Sequence, residues 1–167
     1  MTNLEGRAVL VTGCSSGIGR CLAFGLRERG YRVFATARKA ADVAALSAAG
    51  FESMSLDLDS SDSIRAAVET VLDRAQGRLY ALVNNGAYGQ PGAVEDLSRD
   101  VLRAQFETNL FGTQELTNLV IPAMRAQGEG RLINMSSMLG IVCFAYRGAY
   151  NATKFALEAL SDTMRLE

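Results

Sequence analysis

The feature that most constrains this chain is an apolar run that breaks straight into a glycine turn and then a helix. Arg7 to Thr12 reads Arg-Ala-Val-Leu-Val-Thr, β-rich and mostly apolar, which suits a strand buried on both faces of a parallel sheet. Thr12-Gly13-Cys14-Ser15-Ser16-Gly17-Ile18-Gly19 follows. Arg20 to Arg29 then carries helical spacing through Leu22, Ala23 and Leu26 until Gly30 stops it. Glycines between a strand and a helix let backbone approach a pyrophosphate closely and aim the helix N-terminus at its charge. A lone glycine turn is a weak signal, and its place after a first strand is what makes this one specific.

The pattern repeats downstream. Tyr31 to Ala37 predicts a second strand, Ala40 to Ala49 a helix closed by Gly50, and Phe51 to Leu58 a third strand, which together make one mononucleotide-binding half of a doubly wound sheet. Ser60 to Arg74 predicts an amphipathic helix with Ser60, Ser61 and Asp62 as capping candidates. Leu79 to Asn84 is a fourth strand, Asn85 to Pro91 a loop, Asp100 to about Ala126 a long helix, Arg131 to Ser136 a fifth strand, and Tyr150 to Glu167 a last helix. The expected fold is α/β, a doubly wound parallel sheet of the Rossmann kind, in a single domain over residues 1–167. Two complete halves need six strands, and the last helix has no Gly, Asn or Pro to close it, so the chain is expected to be C-terminally incomplete.

Composition removes several function classes. A net charge of -1 gives no basic field for nucleic acid. No apolar run approaches the roughly 20 residues that span a bilayer, and Met1 to Gly6 lacks the layout of a signal peptide, so a cytoplasmic protein without membrane contact is expected. Cys14, Cys21 and Cys143 form no close pair, which favours free thiols over a disulfide or a metal site. The chain has 0 histidines, which excludes His-based triads and imidazole shuttles.

Tyr150-Asn151-Ala152-Thr153-Lys154 places a phenol and an ammonium four apart, on one face of a helix. A fixed cation beside a phenol favours the phenolate, which makes the pair a general acid/base device. Ser137 follows the fifth strand, thirteen residues before the tyrosine, at the carboxyl edge where open α/β sheets bind ligands. A nucleophilic serine is disfavoured, because no histidine is available as base. NAD-preferring dinucleotide folds carry an acid at the end of strand two. Here Ala37 holds that place and Arg38 and Lys39 follow, a pair suited to the extra phosphate of NADP, so NADP(H) is expected, with NAD(H) as the alternative.

With the glycine turn, Ser137, Tyr150 and Lys154 in register, the chain resembles the short-chain dehydrogenase/reductase family, in its single-domain branch, from about Arg7 to its last residue. Thr-Gly-Cys-Ser-Ser-Gly-Ile-Gly and Ala-Thr-Ala-Arg look similar to hydroxysteroid and retinol dehydrogenase-like members. The resemblance implies that Gly13, Ser15, Ser16, Gly17, Ile18 and Gly19 bind cofactor, with Gly19 serving packing more than contact. It implies that Asp57 and Leu58 meet the adenine, with a capping or turn role for Asp57 and Asp59 as the close alternative. Asn84-Asn85-Gly86-Ala87 resembles the family's Asn-Asn-Ala-Gly with its last two residues exchanged, which puts Asn85 and Gly86 beside the nicotinamide ribose.

In the family pattern Ser137 holds the substrate oxygen, Tyr150 exchanges its proton, Lys154 binds the ribose, and Asn109 interrupts the long helix and extends the proton path. Met138, Phe144 and Tyr146, with Leu139 and Val142, are candidate substrate walls, opposite Tyr88 and Gln90. Together these imply an oxidoreductase that moves a hydride between the nicotinamide and an apolar aldehyde, ketone or alcohol. A catalytically silent NADP(H) sensor and an epimerase or dehydratase of the same superfamily are the alternatives. The family commonly forms homodimers or homotetramers through its two long helices, here Asp100 to Ala126 and Tyr150 to Glu167.

Overall fold

A computed structural model describes residues 6–167. Residues 1–5, on which the signal-peptide reading partly rests, lie outside the described residues. Five parallel strands form one sheet in the order β3-β2-β1-β4-β5. They are β1 (Ala8–Val11), β2 (Arg32–Ala37), β3 (Glu52–Ser55), β4 (Ala81–Asn84) and β5 (Arg131–Asn134). The helices are α1 (Gly17–Glu28), α2 (Ala40–Ala48), α3 (Ser61–Arg74), α4 (Arg99–Phe106), α5 (Gly112–Gln127) and α6 (Gly148–Leu166). The fold is the expected doubly wound sheet.

Its centre follows from side-chain alternation. Leu10, Leu82 and Phe34 point to one face with Val68, Val71, Leu116 and Val120 of α3 and α5. Val9, Val11, Val33, Ala35, Ala81 and Val83 point to the other, beneath Ala23 and Leu46 of α1 and α2. All four positions of β1 and of β4 are buried, which is why both read as continuous apolar runs. The strand order reverses between β1 and β4, and at such a switch point the loops after neighbouring strands diverge to leave a crevice.

The strands are shorter than their apolar runs predict. Phe51 to Leu58 narrows to Glu52–Ser55, because Asp57 turns the chain by accepting from the Asp59 N–H at 3.2 Å, while Leu56 and Leu58 enter the core. Ser60 is the N-cap of α3, its hydroxyl accepting from the Ser63 N–H. The long helix begins at Arg99, capped by Ser98, and is interrupted by a π turn over Glu107–Phe111.

Candidate active site

The glycine turn leaves β1 at the switch point. Gly13 has φ +70°, and a Cβ there would sit 2.8 Å from the Gly86 Cα, so only glycine lets the loops after β1 and β4 touch. A Cβ on Gly19 would strike the Gly13 carbonyl and the Asn85 amide, which makes Gly19 a packing residue. Ser16, the N-cap of α1, makes no side-chain cap, and the first turn holds no acid. The opening N–H groups of α1 are therefore left for an anion. Ile18 is exposed beside them. An uncapped helix end above a glycine cradle fits the pyrophosphate of a dinucleotide.

Thr12 binds the two loops together. Its hydroxyl accepts from the Asn85 N–H at 2.9 Å and the Gly86 N–H at 2.7 Å. Asn85 answers through its side-chain amide, donating to the carbonyls of Thr12 and Gly13 at 2.9 and 3.2 Å. Asn85 thus braces the turn with its side chain. The exchanged Gly86 and Ala87 both keep negative φ, and the exchange suits the packing, since a Cβ on Gly86 would lie 3.2 Å from both Leu58 Cδ1 and Thr12 Oγ1. Burial pushes the Cys14 thiol up to about 11, so this cysteine is a small, inert filler of the turn.

A cleft of about 500 Å³ runs from this turn, lined by Gly13, Ser15, Arg38, Asp57, Leu58 and Gly86 among others. Ser16, Gly17, Ile18, Gly19, Lys39 and Asn85 do not line it. Arg38 is exposed at its rim, beyond the buried Ala37, and Lys39 is the N-cap of α2.

Tyr150 and Lys154 are carried by α6 and, like Ser137 and Asn109, do not themselves line that cleft. Lys154 is only 3% exposed, and its ammonium donates to the Met135 carbonyl at 2.7 Å, at the end of β5. The Nζ lies 5.5 Å from the Tyr150 ring centroid. Burial lowers the Lys154 pKa, and the carboxylate of Glu158, one turn along α6, opposes that shift. Ser137 caps a 3-10 turn over Met138–Gly140, its oxygen accepting from the Leu139 N–H at 3.1 Å and its own proton left to donate. The neighbouring Ser136 lines a different cavity with Glu158 and Ser161.

Asn109 lies in the π turn, 2% exposed. Its Oδ1 accepts from the Tyr88 N–H at 3.1 Å, and its Nδ2 donates to the Tyr88 carbonyl at 2.8 Å and to Thr153 Oγ1 at 3.3 Å. The widened turn aims it inward, and Gly112 after it admits the Leu58 carbonyl where a Cβ would collide. Asn109 thus reaches α6 through Thr153, and Lys154 reaches the carboxyl edge of the sheet through Met135, two residues before Ser137. Phe144 and Tyr146 are not brought into the cleft: they lie exposed along a separate groove with Val94, Cys143 and Asn151, and Met138 is exposed on its turn.

Sequence reasoning missed Gln105. It is wholly buried, accepting from the Gln90 N–H at 2.7 Å and donating to the Tyr88 carbonyl at 2.9 Å. With Asn109 it fixes the loop that carries Tyr88 and Gln90. The available signal was slight, a glutamine four residues after Val101 on α4, whose other residues stay half-buried or exposed. Gln105→Leu leaves those loop groups short of a partner and is expected to cost about 1–3 kcal/mol. That lowers the melting temperature by roughly 2–10 °C in thermal denaturation, whereas an unchanged midpoint would mean that the loop holds itself.

The short chain dehydrogenase family model matches residues 7–167. The chain belongs to that family. It is similar to the uncharacterized oxidoreductase YbbO of Escherichia coli, 42% identical over 96% of this chain and 60% of that protein. It is similar to a 3-ketodihydrosphingosine reductase of Bacteroides thetaiotaomicron, 35% identical over 98% of this chain and 59% of that one. A short-chain dehydrogenase from Streptomyces avermitilis superposes with a TM-score of 0.91 at 40% identity, over 98% of this chain and 61% of that structure. Similar solved structures include complexes with NADPH and with NAD. The chain spans about 60% of the length of these relatives, and no helix among its described residues is long and apolar enough to cross a membrane.

Proposed function

We propose that this family member is an NADP(H)-dependent oxidoreductase that interconverts an apolar aldehyde or ketone and its alcohol, with Tyr150 as the general acid/base. The observation that carries the reading is a buried Lys154 ammonium, fixed by the Met135 carbonyl and set beside the Tyr150 ring at the carboxyl edge of the sheet. A nicotinamide dinucleotide in the cleft would supply or accept the hydride. Ser137 donates its hydroxyl proton in a hydrogen bond to the substrate oxygen, orienting it. Tyr150 gives its proton to that oxygen, and the nearby ammonium stabilises the phenolate left behind. Lys154 spends one of its three donors on Met135, which leaves two for ribose hydroxyls. Asn109 fixes the facing loop through Tyr88 and steadies α6 through Thr153.

The exposed Arg38, beside an alanine where an NAD-binding fold carries an acid, supports NADPH over NADH. Arg38→Asp is expected to lower the NADPH:NADH preference at least tenfold in parallel binding titrations, and an unchanged ratio would remove the argument. The apolar substrate class is supported by Met138, exposed on the turn that Ser137 caps, and by the keto substrate in the name of the 3-ketodihydrosphingosine reductase. Three free cysteines suit a reducing cytoplasmic compartment. A homodimer or homotetramer built on the long helices is supported by Phe111, 52% exposed beside Leu102 and Phe106 in a shallow apolar groove. The deciding experiment is NADPH oxidation by the intact protein over a panel of apolar aldehydes and ketones. NADPH binding without turnover of any of them would favour the sensor.

A further inference from the structure

Arg147 stands at the threshold of the proposed active site with no ion-pair partner among the described residues. It is the N-cap residue of α6, three positions before Tyr150. A Cβ built on Gly89 would lie 3.4 Å from Tyr150 Cδ2 and 3.9 Å from Arg147 Nη1, so the guanidinium and the phenol ring border the same point of the loop after β4. That loop continues the cleft wall formed by Gly86, Ala87 and Tyr88. The ion pairs among the described residues engage Arg7, Arg32, Arg65, Arg103 and Arg165, and none engages Arg147.

The backbone holds this arginine in place. Gly92 and Arg147 form a parallel bridge, and the Gly92 N–H donates to the Tyr146 carbonyl at 3.1 Å. Tyr146 itself has φ +60°, a left-handed conformation that a bulky L-residue adopts only at a cost of roughly 1–2 kcal/mol. Such strain persists where the surroundings over-determine it, and it clusters at functional sites. Here it turns the chain so that the next residue meets the Gly89 loop. Arg38 lies on the rim of the cleft, and Arg147 stands by Tyr150 against Gly89, the residue after the cleft-lining Tyr88.

We infer that Arg147 is a specificity-determining residue that binds an anionic group, carboxylate or phosphate, carried by the carbonyl substrate a few bonds from the reacting carbon. A guanidinium offers a planar fork matched to either anion. The substrate would then lay its charged end on Arg147 and its carbonyl oxygen on Ser137 and Tyr150, with any apolar remainder toward Phe144. This inference rests on the carbonyl-reductase reading above and names the substrate class for that site.

The test uses the intact protein and matched substrate pairs: acetoacetate against methyl acetoacetate, and dihydroxyacetone phosphate against dihydroxyacetone. Arg147→Gln is expected to lower the charged-to-neutral ratio of kcat/KM by roughly ten- to a hundredfold, mostly through KM, with Arg147→Lys recovering part of it. The pair that shows the loss tells carboxylate from phosphate. An unchanged ratio in both pairs overturns the assignment. If the native protein reduces none of the four, titration of the NADPH-loaded protein with acetoacetate and with dihydroxyacetone phosphate decides the Arg147 proposal separately from the carbonyl-reductase reading, which the apolar panel tests. Binding of either anion weakened tenfold in Arg147→Gln supports it, and equal binding overturns it.

Discussion

Tyr150→Phe is expected to lower kcat by roughly two to four orders of magnitude, the range over which a positioned proton donor contributes. The substitution removes one hydroxyl and keeps the ring, so the face presented to Gly89 survives. Lys154 keeps its bond to the Met135 carbonyl and its place below the ring. The uncapped start of α1 and the Thr12 bridge lie on other elements and are untouched. NADPH affinity, followed by its fluorescence, should therefore stay close to that of the native protein while turnover disappears. Undiminished turnover would remove Tyr150 as the proton donor. Joint loss of binding and turnover would instead mean that the hydroxyl supports the cofactor.

Gly19→Ala tests the glycine turn and should have the larger effect on the fold. A methyl group at this position needs space held by the Gly13 carbonyl and the Asn85 amide, both hydrogen-bonded within the turn. Neither is the loose end of a long side chain, so relief requires α1 to lift away from the turn. Overpacking of a tight site costs typically about 1–3 kcal/mol, and here the displaced Asn85 also gives up its grip on Thr12 and Gly13. We expect a melting point lower by roughly 2–10 °C and NADPH affinity weakened more than tenfold. Gly17→Ala is the control: its methyl meets nothing within 4 Å, and because Gly17, unlike Gly19, has a positive φ, +55°, its penalty should be backbone strain alone. Equal losses in the two variants would count against the packing role.

The sheet was legible because β1 and β4 are buried at every position, and no other use of such apolar runs is compatible with the glycine turn between β1 and α1. Ser60 was legible as a cap because capping is local: its partner is three residues away. Asp57 shows the limit. It both lines the cleft and accepts from the Asp59 N–H, so neither the turn reading nor the ligand reading displaces the other. Thr12 and Gln105 escaped notice because their partners are backbone groups in a loop distant along the chain, and side-chain identity carries no record of that. Tyr146 and Phe144 carry apolar rings but lie open to solvent, since the apolarity of a residue does not specify which surface will cover it.

The hydrogen bond from the Asn85 N–H to Thr12 crosses 73 positions of sequence, and the one from Asn109 to Thr153 crosses 44. Such contacts repay their loop-closure entropy only after the intervening chain has been ordered. The glycine turn can curl early, yet it is not held open as a cradle until β4 has docked against β1 and delivered Asn85. Nucleotide affinity in a refolding experiment should therefore appear with the late, non-local joining of β1 to β4, and not with the first helix. A dinucleotide present during refolding would act as a reporter of long-range topology.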